Sequence, residues 1–261
     1  MLELYHWEPN VHFLKPLIAL AEKQVEFVSR WFDPLQFEQF GAGFPHSTES
    51  DLNLEGVGPV LVHDRDIISS SFFMLEYISE ALPGPALLPE DSQIRYQARA
   101  WSQVLGASLG PVLSTLGCAC HLAPLLRKRD SLQLQAEMAR IEPRERRALW
   151  QAVVDGSHSE SDLENLRRRL SPSVKRVEDA LKRSAWLAGA AYSIADIDAF
   201  AMLDPLSELA PEVVNERATP RVNEFLHRMR DRTAVREALG RSRSGSPHTA
   251  FVPGAEGSRW G

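Results

Sequence analysis

Hydrophobic periodicity changes character once along this chain, across a stretch holding Pro83, Gly84, Pro85 and Pro89. Before it, short β-prone runs alternate with helical spacing; after Glu90 the pattern is helical throughout. Residues this rich in Pro and Gly continue neither a helix nor a central strand, so they read as a linker between two unlike units. The first unit, residues 1–83, opens with an apolar run at 2–7 and continues with a helix at 13–23 carrying Leu14, Leu17, Ile18 and Ala21 on one side. A second strand is expected at 25–32, then a polar connection from 33 to 58 with a short helix near 35–40. Val60, Leu61, Val62 and His63, a turn at 64–66, and Ile67 and Ile68 predict a hairpin, and a helix follows at 71–80. The order is β-α-β, then β-β-α.

The second unit, residues 90–240, is expected to be all α. Leu163, Leu166, Leu170, Val174, Val177 and Leu181 lay an apolar stripe along one helix that Pro172 starts or kinks, and the Arg and Lys residues around the stripe read as its solvated face. Ser193-Ile194-Ala195-Asp196 is a capping box with Asp in place of Glu, opening an apolar helix. Residues 100–126 hold no charge, and these 27 positions exceed the ~20 that span a bilayer. Ser102, Gln103, Ser108, Pro111, Ser114, Thr115, His121 and Pro124 interrupt the run, which favours a buried helix. Gly106, Gly110, Ser114 and Gly117 form a small-residue groove on it, for packing within the subunit, for a partner, or for the wall of an aromatic pocket. The tail, 241–261, has too little apolar content to order itself and is expected to be loose.

Composition removes several functions. With 29 basic against 35 acidic residues the net charge is −6, so the chain lacks the electrostatic footprint of a nucleic-acid binder or a membrane-surface protein. Cys118 and Cys120 are too few for a structural zinc site or a disulfide framework. Cys118, Cys120 and His121 are read as buried neutral side chains. Acids near the N-terminus, where a signal peptide carries Lys or Arg, place the protein in the cytoplasm.

The β-α-β/β-β-α unit, the proline at the mouth of the third strand, the linker and the capped helical unit resemble the glutathione transferase superfamily. Within it, Leu14-Lys15-Pro16-Leu17, Phe32-Asp33-Pro34, Phe37-Glu38-Gln39, residues 53–59, Glu76-Tyr77-Ile78 and residues 192–197 resemble the bacterial β-etherases, which use glutathione to cleave β-aryl ethers of lignin-derived aromatics. The resemblance implies a thioredoxin-like N-terminal domain holding glutathione, an all-α C-terminal domain, and dimerisation.

It also implies where the glutathione site falls, and each position departs from the family. The thiolate-stabilising donor at the head of the first helix falls on His12 and Phe13; Phe13 cannot donate, and His12 is the one candidate. The backbone clamp falls on Asn53-Leu54-Glu55-Gly56-Val57-Gly58-Pro59, with Pro59 the expected cis-proline, Gly58 loosening the clamp, and Glu55 an anion where the family often has a cation. The amino-group clamp falls on Ser70 and Ser71, so a carboxylate is missing. A charge-assisted hydrogen bond is worth about 1.5–3 kcal/mol, or roughly 10- to 100-fold in affinity. The expectation is a subunit with weak or no glutathione binding of its own, paired in a heterodimer with a related active subunit that binds glutathione and the aromatic ether. The alternatives are a self-sufficient transferase or etherase using His12, and a scaffold protein on the same fold.

Overall fold

Alternation along the first strand sets the sheet layer. Leu2–His6 (β1) buries Leu2, Leu4 and His6 while Glu3 and Tyr5 stay partly exposed, the period-two pattern of a strand. The computed structural model describes residues 1–46, 58–141, 144–156 and 158–254. Val28–Trp31 (β2) pairs in parallel with β1, and Val60–His63 (β3) pairs antiparallel on its other side. Asp66–Ser69 (β4) closes the hairpin, giving the order β2-β1-β3-β4. The parallel pair needs a crossover, supplied by Val11–Lys23 (α1). α1 buries Phe13, Leu14, Leu17, Ile18 and Leu20, and packs on Ser71–Ala81 (α2), which buries Met74, Leu75 and Ile78. Each such side chain contributes about 1.5–3 kcal/mol relative to exposure.

Two local expectations are corrected here. β2 starts later than residue 25, because Gln24 leaves α1 in the left-handed region at φ 56° and Val25 N–H donates back to Leu20 O. The short helix near 35–40 is instead two 3₁₀ turns, Pro34–Gln36 and Glu38–Phe40, separated by Phe37 at φ 58°.

In the helical part, Ser92–Gly117 (α3) starts at Asp91, whose carboxylate accepts from Gln93 N–H and Ile94 N–H at 2.9 Å. Its axis bends by 40° between Ser92–Ser108 and Gly110–Arg127. Pro111 accounts for the bend, since it has no N–H to offer Ala107 and its ring crowds that carbonyl. The chain continues through one π turn, Cys118–Leu122, into Ala123–Arg127 (α4). Ser102, Leu105, Leu109, Leu113 and Leu116 are buried in the protein, and no single helix among the described residues is long and apolar enough to cross a membrane. Ser131–Met138 (α5), Arg144–Asp155 (α6) and Glu160–Leu181 (α7) follow. α7 is not started by Pro172: Ser159, thirteen residues before it, forms a capping box with Asp162 that supplies the orphan N–H partners.

Ile194–Leu203 (α8) is buried along its whole length and packs against α1 and α3. Its capping box has formed: Asp196 accepts from Ser193 N–H and Leu187 N–H, both at 2.9 Å. Burial pushes the Asp196 carboxyl up to about 6, against the opposing pull of those hydrogen bonds. Two residues on, Asp198 pairs with Lys15 of α1 at 2.8 Å, each side chain 2% exposed. Leu206–Leu209 (α9), Pro220–Arg230 (α10) and Thr233–Leu239 (α11) complete the bundle.

The expectation of a loose tail fails for residues 241–254. This segment turns back along the molecule, makes a 3₁₀ turn at Pro247–Thr249, and buries Ala250 and Phe251. Its anchors are backbone groups and hydroxyls, which a count of apolar residues does not register. Residues 255–261 lie outside the described residues.

Candidate functional site

Three chain ends meet on one side of the sheet: the head of α1, the head of β3 and the head of α2. His12 stands at the second position of α1, and Ser71 opens α2 fully buried; the Ser71 hydroxyl lies 3.3 Å from His12 Nδ1. Ser70, the residue before α2, is held at φ 70°, ψ 122°, a region a non-glycine residue adopts only when its surroundings impose it. Gly58 and Pro59 are buried at the head of β3 and joined by a cis peptide bond. Gly58 has φ 140°, closed to ordinary side chains. The fold thus places His12, Gly58, Pro59, Ser70 and Ser71 at these three neighbouring ends. Asn53, Leu54, Glu55, Gly56 and Val57 lie outside the described residues.

Phe13 decides what the site can do. Its side chain is 2% exposed and points into the protein between Trp7 and Phe32, at ring separations of 6.3 and 5.9 Å, both edge to face. A Cβ placed on Gly58 would lie 3.6 Å from Phe13 Cε1 and 3.8 Å from Phe32 Cζ. Phe32 meets Phe44 at 4.9 Å and Phe44 meets Tyr5 at 5.4 Å. A run of aromatic edges therefore underlies the position at which the family resemblance expects a thiolate donor, and such edges offer packing rather than a hydrogen bond. Among the described residues, the polar side chains at the heads of α1 and α2 are Asn10, His12, Ser70 and Ser71, none of them a carboxylate.

The loop from β1 to α1 carries further polar groups that the sequence reading passed over. Glu8, 2% exposed, accepts from Arg243 N–H at 2.9 Å, Ser244 N–H at 3.1 Å, Ser244 Oγ at 2.9 Å and Ser242 Oγ. Burial alone would raise its pKa, but these hydrogen bonds outweigh it and hold the carboxyl below its ordinary value. Asn10, the residue before α1, does not cap the helix; its amide donates to Ala250 O at 3.0 Å. His6 beneath the loop donates from Nδ1 to Trp7 O at 2.7 Å, so its Nε2 accepts from Ser29 Oγ at 2.7 Å, and burial lowers its pKa. A buried acid directly after a strand was the available signal for Glu8.

On α3 the small-residue groove is split. Ser114 Oγ donates to Val252 O at 3.2 Å and accepts from Gly254 N–H at 3.1 Å, and Phe251 fills the notch at Gly117. At Gly106 and at the buried Gly110, nothing among the described residues lies within 4 Å of where a Cβ would stand. Cys118 is buried, with its thiol pushed up to about 12 by desolvation, and burial lowers the pKa of His121, which stacks on Phe251 at 5.8 Å.

The same architecture occurs in known proteins. The family model described as glutathione S-transferase, C-terminal domain, matches residues 131–232. Protein LigF of Sphingobium sp. (strain NBRC 103272 / SYK-6) is 29% identical over 248 residues, covering 93% of this chain and 94% of that protein. Along nearly its whole length the chain is similar to proteins of the glutathione S-transferase superfamily. The crystal structure of β-etherase LigF from Sphingobium sp. strain SYK-6 matches with a TM-score of 0.82 at 28% identity, over 92% of this chain and 99% of that one. A glutathione transferase family member from Pseudomonas fluorescens pf-5, solved with two glutathione bound, shares the fold at TM-score 0.67 and 19% identity, over 91% and 92% of the two chains. Against that glutathione S-transferase background, the small mixed sheet with helices on it is the N-terminal part of the fold, and the helices from α3 onward are the C-terminal part.

Proposed function

We propose that this chain is the supporting subunit of a heterodimeric, glutathione-dependent β-etherase acting on β-aryl ethers of lignin-derived aromatics, and that a related partner subunit binds the glutathione that does the chemistry. The carrying observation is Phe13, a buried ring beside Gly58 where a thiolate donor is needed. The missing carboxylate at Ser70 points the same way, while the overall likeness to β-etherase LigF supports the substrate class. A partner-binding face is supported by Phe73 on α2 and Tyr96 on α3, 62% and 70% exposed. Each stands one turn before a member of the Glu76–Arg99 pair, whose two hydrogen bonds of 2.7 and 3.1 Å tie the two helices together. An apolar pair rimmed by charge in this way is the composition of an interface core and rim.

A second reading has one observation in its favour. His12 beside Ser71 at 3.3 Å is a polar pair at the head of α1, and a self-sufficient enzyme would use His12 to stabilise the glutathione thiolate. The two readings separate when the chain is expressed alone and beside a related glutathione-transferase-fold subunit, with assembly measured by size exclusion and light scattering and ether cleavage by product release. The first reading expects turnover only in the mixed complex, and loss of that complex in Phe73→Glu. An active homodimer whose turnover is lost in His12→Ala overturns it in favour of the second.

A further inference from the structure

The C-terminal segment joins the two parts of the molecule at the one loop that leads into the candidate site. At one end Glu8 gathers Ser242, Arg243 and Ser244 around its carboxylate. At the other, Phe251 is 3% exposed, fills the notch at Gly117 and stacks on His121, while Val252 and Gly254 bond to Ser114. Between these ends the segment passes the head of α1, where Asn10 holds Ala250 two residues from His12. We propose that residues 242–252 form a strap that fixes the loop between β1 and α1 against the end of α3 and covers the α3 groove at Ser114 and Gly117, with Glu8 and Phe251 as its latches.

Three observations carry this, independently of which subunit handles glutathione. First, Val11 sits at φ 43°, a conformation that a β-branched residue keeps only where its neighbours over-determine it. Glu8 and Asn10 lie just before it, and the side chains of both are bonded to the strap. Second, the strap is built to come away. Arg243, Ser244, Gly245 and Ser246 are exposed, Gly245 is at φ 72°, and Phe251 is the one large apolar side chain seated among residues 242–252. A segment with an exposed middle, held by a few hydrogen bonds and a single large apolar anchor, opens at a lower free energy than the fold as a whole. Third, it covers only part of the groove: Phe251 fills the notch at Gly117 and Val252 and Gly254 bond to Ser114, whereas among the described residues nothing lies within 4 Å of a Cβ placed on Gly110 or Gly106.

Hydrogen exchange followed by mass spectrometry on the whole chain tests the strap, with Glu8→Gln and Phe251→Ala cutting opposite latches so that one variant remains if the other fails to fold. The expected result is protection at residues 243–244 and 250–252 in the unsubstituted chain, lost by about tenfold or more at both ends when either latch is cut, with α8 unchanged. Association of 1-anilinonaphthalene-8-sulfonate, an anionic aromatic probe, is expected to speed up by about tenfold in the same variants. Free exchange of the strap in the unsubstituted chain, loosening confined to the substituted end, or an unchanged rate of probe association overturns the proposal.

Discussion

The heads of α8 and α2 both begin with serine, yet they have fared differently. At α8, Ser193 is followed by Asp196, and that carboxylate satisfies two buried N–H groups across a loop and its own helix. At α2, Ser70 and Ser71 keep the helix head and even the strained backbone at φ 70°, but no acid stands there. The difference separates two kinds of polar residue. A group that pairs with the protein's own buried backbone leaves an unsatisfied donor when lost, at about 1–3 kcal/mol each. A group that pairs with a ligand leaves the fold intact when lost, so packing residues such as Phe13 can take its place.

The sharpest way to break this comparison lies beside Asp196. Asp198→Ala strands the Lys15 ammonium in the core, and urea unfolding should show a loss of about 3–5 kcal/mol, most of it recovered when Lys15→Met is added. A small effect would mean that the helical part tolerates polar loss as readily as the site does. The Asp196 carboxyl gives the next largest effect. Because its pKa rises from 3.8 to about 6 on folding, the protonated form is favoured in the native state. That contribution is complete below the unfolded value and is lost as pH rises through the folded one, about 3 kcal/mol in total. Urea midpoints measured between pH 4 and 7 should therefore fall less steeply in Asp196→Asn than in the unsubstituted chain.

The two halves of the α3 groove sharpen the same contrast at lower energy. Gly117→Ala drives a methyl into the Phe251 ring and should lower stability by about 1–3 kcal/mol. Gly106→Ala, at a partly exposed position with nothing among the described residues within 4 Å of the added methyl, should raise stability by about 0.5–1 kcal/mol, both read from thermal melts. Equal effects would mean that the strap does not occupy the notch. The smallest change is Ser70→Glu, where an acid at a helix head gains about 0.3–1 kcal/mol. Calorimetry should find slightly tighter glutathione binding with no ether turnover by the isolated chain.

How much of this was legible follows from how far apart the partners are. The strands, the hairpin, the buried helix and the capping box at 193–196 all declare themselves within a few residues, through alternation, stripes and caps. The strap does not, because Glu8 finds its donors 234 to 236 residues away and those donors are backbone and hydroxyl groups. Phe37 in the left-handed region is equally silent, since an aromatic residue carries no turn signature there. Lys15 and Asp198 did leave a trace, each a charge flanked by apolar residues within a helix. At the site, resemblance located His12, Gly58, Pro59, Ser70 and Ser71, but only the structure shows that Phe13 is turned inward beside Gly58.

The central claim is that the fold has outlived its own glutathione chemistry in this chain. Titrating glutathione into the purified chain by calorimetry tests it most directly. The account predicts binding no tighter than about 1 mM, or no heat at all, for the chain on its own. A dissociation constant of about 10 μM or below, with cleavage of a β-aryl ether by the same preparation, would contradict it.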